Sequence, residues 1–168
     1  MAELKENTFV DHVVSVRRVT KVTKGGKRFS FSAFVVTGNK AGQVGIGLGK
    51  SREVSQAIAK ATNRARKRMI TIGMRDATVA YPAEGKHGAS KVVIRPASKG
   101  TGIIAGGAVR AIMSAAGIND VLTKSLGASN RQNVAKATLN ALAKMRSAKH
   151  IAHLRGKKSV KDVVGSAA

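Results

Sequence analysis

The chain has 168 residues, with 31 Lys and Arg against 8 Asp and Glu, a formal charge of +23 at pH 7, and no cysteine. The missing thiols exclude disulfide frameworks, thiolate zinc sites and cysteine nucleophiles, and a hydrophobic content of 43% excludes wholesale disorder. So large a net charge repels itself in a compact state, and it fits a protein whose partner is a polyanion.

Residues 1–74 carry 15 Lys and Arg against 4 Asp and Glu, and residues 75–168 carry 16 against 4, so the charge is not confined to a tail. Both halves are expected to face the polyanion. The length suits one ordinary domain or two small ones. No apolar run approaches the roughly 20 residues of a membrane span, and the opening MAELKENTFV has neither a signal-peptide nor a transit-peptide pattern. Basic charge dispersed over strands, turns and helices also differs from an amphipathic membrane anchor. The expectation is a cytoplasmic protein with no membrane partner.

In chain order, residues 12–22 (HVVSVRRVTKV) are rich in valine and threonine and read as a strand. Its alternation breaks at Arg17 and Arg18, which predicts a bulge there. Gly25-Gly26 supplies positive φ for a hairpin, 29–37 (FSFSAFVVT) is the returning strand, and 43–48 is a third strand thinned by glycines. Ser51 is placed to cap a helix whose buried face holds Val54, Ala57, Ile58, Ala61, Ala65 and Met69. A second unit opens with strands at 77–81 and 91–95, the latter halted by Pro96. A helix over 105–116 ends at Gly117 as a left-handed cap. A strand over 121–126 follows, then a helix begun by a Ser129/Gln132 capping box and carrying Val134, Thr138, Ala141, Leu142 and Met145. The fold class is therefore α+β: two small α/β sandwich domains, βββα over 1–74 and ββαβα over 75–147, with a basic tail over 148–168.

Two clusters point to nucleic acid. Arg17, Arg18, Lys21, Lys24, Lys27 and Arg28 crowd a hairpin with no carboxylate among them, and Gly25 and Gly26 leave its tip bare for close approach to phosphates and sugars. Lys60, Arg64, Lys67 and Arg68 fall at i, i+4, i+7 and i+8, one ridge of the first helix, and no acidic residue occurs from 58 to 72. A solvated helix face ordinarily mixes both signs.

Other patterns resemble catalytic sites and fail on spacing. Gly45-x-Gly47-x-Gly49-Lys50-Ser51 lacks the four residues that a nucleotide-binding loop needs between its outer glycine and Gly-Lys-Ser. What remains there is a helix start flanked by Lys50 and Arg52, suited to one backbone phosphate. Gly100-x-Gly102-x-x-Ala105 with Asp120 imitates a dinucleotide fingerprint, but Asp120 precedes the next strand instead of ending it. His12 and His87 stand alone, and His150 and His153 have no nearby carboxylate, so a metal site is not expected. The carboxylates are never paired for acid–base work. Arg28-Phe29-Ser30-Phe31 faintly resembles the strand on which some RNA-binding sheets stack bases, but in a chain with 3% aromatics Phe29, Phe31 and Phe34 read as core.

The segments 19–26 (VTKVTKGG), Phe29-Ser30-Phe31, Gly45 to Val54, Gly88 to Val92, Pro96-Ala97-Ser98, Gly100 to Ala111 and Lys124 to Gly127 together resemble the bacterial small-subunit ribosomal protein five family over residues 8–160. The resemblance implies a double-stranded-RNA-binding-like N-terminal domain and a βαβα C-terminal domain, in a non-enzymatic constituent of the small subunit without cofactor or small-molecule substrate. It implies contact with small-subunit rRNA, a place beside proteins three and four where messenger RNA enters, and an influence on translational accuracy. On the matching residues, Val19, Thr20, Lys24, Gly25 and Gly26 form the hairpin associated with spectinomycin response, and Arg17 and Arg18 lie near messenger. Gly102 to Arg110 is similar to the interface with protein four, and the C-terminal tail leans toward protein eight. Gln43 and Arg131 depart from the family's usual arginine and proline. A free-standing basic nucleic-acid-binding or RNA-chaperone protein is the competing class.

Overall fold

A computed structural model describes residues 9–146 and 148–156 of the chain. β1 (Val10–Thr23) and β2 (Gly26–Gly38) form a long antiparallel hairpin, and β3 (Gln43–Ser51) pairs with β2 on its other side. The predicted bulge at Arg17–Arg18 is corrected: both pair regularly, with Ser32 and Phe31, and the register shifts instead between Val13 and Ser15. The extra residue is Val14, which packs against the core, so burial rather than charge sets the bulge.

Alternation along β2 explains why Ala33 to Val36 form an unbroken apolar run. Ala33 and Val35 face α1 (Val54–Arg66), while Phe34 and Val36 face the opposite core, so this sheet is covered on both sides. On β3 the residues facing α1 are Gly45, Gly47 and Gly49, and the helix residues they meet are Ala65, Ala61 and Ala57. A Cβ on any of the three glycines would collide with the carbonyl oxygen of its partner alanine. Helix and strand therefore meet backbone against backbone. Ser51 does not cap α1, because β3 runs through it; Glu53 holds the N-cap position without a side-chain cap, and Ser51 Oγ donates to Gln56 Oε1 (3.0 Å). The helix stops before Met69, and β4 (Ile70–Thr71) returns to pair with Gln43 and Val44.

The strand expected over 77–81 is reduced to β6 (Thr78–Val79), paired with β5 (Met74–Arg75) in a two-stranded ribbon. The strand beside β8 (Ser90–Pro96) is β7 (Ala83–His87). Its sequence, AEGKH, lacks β-branched and aromatic residues, so propensity gives no sign of it. Packing does: Gly85 lies directly under the backbone of α3 (Arg131–Lys144) at Ala137 and Ala141. The second sheet runs β7-β8-β10-β9, with β9 (Ile103–Ile104) parallel to β10 (Val121–Gly127). α2 (Gly107–Ala116) connects those two strands and ends at Gly117 in the left-handed region, φ 87°, as expected. The capping box is corrected by one residue: Asn130 caps α3, its Oδ1 accepting the Gln132 N–H (3.1 Å). The stretch expected as a tail begins with α4 (Ala148–Leu154), and its residues 157–168 lie outside the described residues.

α2 lies between the two sheets. One cluster of buried side chains runs from Phe34, Val36 and Val44 through Val109, Ile112 and Met113 to Val92, Ile94 and Val121. Each large member stabilises by about 1.5–3 kcal/mol relative to exposure. The turn between β2 and β3 closes the C-terminal end of α2: Lys40 N–H donates to Ala115 O (3.0 Å) and Gly42 N–H to Ala116 O (2.9 Å). These bonds satisfy carbonyls that a helix end leaves without partners.

Candidate nucleic-acid interface

The β1–β2 hairpin outruns the sheet. β3 accompanies β2 only as far as the Phe31–Ser51 pair, so Gly26 to Ser30 present an edge with no β3 partner. In the corner where the hairpin leaves β3 lies a groove of about 600 Å³, walled by Val19, Thr20, Lys21, Arg28, Phe29, Ser30, Lys50, Ser51, Arg52 and Lys60. Five cations from the hairpin stem, the end of β3 and α1 meet there, and no carboxylate is among the lining residues. With 31 basic and 8 acidic side chains in the chain, one-to-one pairing would leave most cations without an internal counter-charge. Two ion pairs among the described residues, Arg66–Asp11 (3.2 Å) and Lys91–Glu84 (2.6 Å), lie outside this groove.

The structure thus brings Lys21, Arg28, Lys50, Arg52 and Lys60 together. Lys24, Gly25, Gly26 and Lys27 sit beyond the groove at the exposed tip. Only one of the paired glycines has positive φ, Gly26 at 120°, so the expectation for Gly25 is corrected. Arg17 and Arg18 are exposed and leave opposite faces of β1, as alternation requires. The ridge on α1 is divided. Lys60 reaches the groove, Arg64 Nη1 donates to Leu48 O on β3 (2.7 Å), and Lys67 and Arg68 lie exposed at and beyond the helix end. Arg64 therefore covers part of a strand edge as well as carrying charge.

Phe29 is the residue that sequence reasoning misplaced. Phe34 is 3% exposed and Phe31 packs against the cluster on α1, but Phe29 is 47% exposed. Phe29 and Phe31 share one face of β2, and the alternation that groups them carries no information on where α1 stops.

The two glycine motifs have structural uses. Gly45, Gly47 and Gly49 form the seam with α1, which is why they imitate a phosphate loop without its spacing. Asp120, buried, accepts the Gly100 N–H (3.0 Å) and the Gly102 N–H (2.9 Å) on one oxygen, so the carboxylate holds the glycine loop itself. Arg110 is not beside Gly102 in a single pocket. It lines a second groove of about 700 Å³ with His12, Val13, Arg131 and the start of α2, and Gly102 is not part of that lining. Gln43, where an arginine was expected, is used inside its turn: Asn39 Nδ2 donates to Gln43 Oε1 (3.0 Å), and Asn39 Oδ1 accepts the Gln43 N–H (3.0 Å). Among the described residues no three His, Asp or Glu side chains gather as a metal site would need, and no helix is long and apolar enough to cross a membrane.

Comparison with known proteins gives the chain a family. Family models described as "Ribosomal protein S5, N-terminal domain" and "Ribosomal protein S5, C-terminal domain" match residues 9–73 and 85–155. A protein of Lawsonia intracellularis named "Small ribosomal subunit protein uS5" is 54% identical over 155 residues, 92% of this chain and 95% of its own length. Its namesake in Salinibacter ruber is 53% identical over 154 residues, covering 92% and 88%, and that of Psychrobacter cryohalolentis is 51% identical over 156, covering 93% and 91%.

Proposed function

The chain belongs to the ribosomal protein S5 family, and on that premise we propose that it is a structural, non-enzymatic constituent of the small ribosomal subunit that binds small-subunit rRNA through the basic groove. The observation that carries the RNA contact is the meeting of Lys21, Arg28, Lys50, Arg52 and Lys60 in one carboxylate-free corner beside the open edge of β2. Cations there neutralise phosphates and release counterions, while the unpaired backbone edge offers hydrogen-bonding groups to sugar and phosphate oxygens.

Around that contact we place the finer roles. The tip, Lys24 to Gly26 with Val19 and Thr20, meets RNA where spectinomycin acts. Arg17 and Arg18 face incoming messenger RNA. The loop at Gly102 and the α2 residue Arg110 adjoin ribosomal protein four and influence decoding accuracy, protein three lies nearby, and the C-terminal tail approaches protein eight. The protein is expected in the cytoplasm, bound to ribosomes. Sedimentation of a cell lysate through a high-salt gradient, following this chain by mass spectrometry, tests the reading. One copy per small subunit is the expected result. Release from the subunit and migration with DNA or mixed RNA would instead make it a free-standing basic nucleic-acid binder.

A further inference from the structure

We propose that Phe29 is a stacking platform for one unpaired nucleobase, so that the basic groove takes a bulged, looped or junction nucleotide and not only the backbone of a regular duplex. The inference rests on the RNA reading of the groove and adds to it the class of nucleotide it accepts.

The position of the ring is the first argument. Phe29 and Phe31 lie on the same face of β2; α1 covers Phe31 and stops short of Phe29, which pairs with Thr20 on the free part of the hairpin. An aromatic ring left 47% exposed forgoes much of the roughly 1.5–3 kcal/mol that burial would contribute. The ring is also held in place. The Arg18 guanidinium, a diagonal neighbour across the ladder, lies over it at 4.5 Å from the centroid. The guanidinium covers one face of the ring, so the base stacks on the other face.

The surroundings of the ring supply the rest of a nucleotide site. Lys50, Arg52 and Lys60 line the same groove and suit the phosphates, and Thr20, paired with Phe29 on the same face of the hairpin, brings a hydroxyl beside the ring. Aromatic rings beside cationic grooves are the general means by which proteins hold unpaired bases. In A-form duplex RNA the bases stack on one another and are closed to such a ring, so the nucleotide taken must be unpaired.

The test uses the full chain and two RNA probes: a plain duplex, and the same duplex carrying one bulged 2-aminopurine, whose fluorescence falls on stacking. The wild-type chain should bind the bulged probe more tightly and quench it. Phe29→Leu should lose about 5- to 100-fold in affinity for the bulged probe and abolish the quenching, with a much smaller loss on the plain duplex and an unchanged salt slope, because the ring carries no charge. Phe29→Trp should restore both. Retention of preference and quenching in Phe29→Leu overturns the base site and leaves the RNA groove standing. An equal loss on both probes also overturns it, because the ring would then be structural. Failure of the wild-type chain to bind either probe in a salt-dependent way removes the RNA reading and the base site together. Should Phe29→Leu not fold, the wild-type fluorescence still decides, since absence of quenching there is incompatible with stacking.

Discussion

Glycines at the hairpin tip and glycines in β3 occupy opposite physical situations. A Cβ added at Gly25 or Gly26 would meet nothing within 4 Å, whereas at Gly45, Gly47 or Gly49 it would collide with the backbone of α1. At the tip, absent side chains leave a surface bare for a partner. In the seam, they let helix and strand backbones come closer than any larger residue permits. Both strings are followed by lysine, and only the packing partner tells a contact surface from a structural joint.

The seam should therefore be the more fragile region and the hairpin the more functional one. Gly47→Val places a branched side chain against the Ala61 carbonyl, and should lower stability by about 3 kcal/mol and the thermal midpoint by roughly 6–12 °C. A midpoint like the parent's would mean that α1 is free to move off β3. Asp120→Ala strands the Gly100 and Gly102 N–H groups and should lose about 2 kcal/mol in denaturant titration. Asp120→Asn keeps an acceptor oxygen in place and should retain most of that stability; equal losses would show that charge, not the hydrogen bonds, holds the loop.

Changes at the basic residues should alter RNA binding, and those at Lys50, Arg52 and Lys60 should leave the melting curve alone. Lys50→Ala with Arg52→Ala should reduce the slope of log affinity against log salt by about 2, at roughly 0.9 per phosphate contact on a duplex. Lys60→Ala with Arg64→Ala should reduce it by about 1, because Arg64 already donates to Leu48. Slopes unchanged in both double variants would move the interface away from this corner. The smallest effect is expected at the tip. Gly26→Val, at φ 120°, should introduce about 1 kcal/mol of local strain, and Gly25→Val close to none, with both still incorporated into the subunit. Similar destabilisation by the two would mean that the turn constrains both residues.

Much of the candidate interface was legible because charge and spacing are local properties of the chain: Lys21 and Arg28 stood out by density, Lys60 by its helical ridge, and Lys50 and Arg52 by the helix start beside them. That they share one groove was not, because Lys21 and Lys60 meet only through the hairpin's overhang past β3 and the crossing of α1. Phe29 shows the complementary limit. Its side was readable by alternation with Phe31, but its exposure depends on where a helix thirty residues further along comes to rest. β7 was missed for a related reason, as Gly85 makes a poor strand residue until α3 lies across it.

Composition and local pattern were enough for the excess of basic charge, the α+β class, the order of most elements and the left-handed turn at Gly117, since net charge, residue propensity and the steric freedom of glycine all act over a few neighbours. The bulge at Val14, the shared core around α2, the backbone seam of β3 on α1 and the use of Asp120 to hold its own glycine loop arose from contacts between segments far apart in the chain. Such contacts are selected by how whole surfaces pack, and a residue's neighbours in sequence carry no record of them.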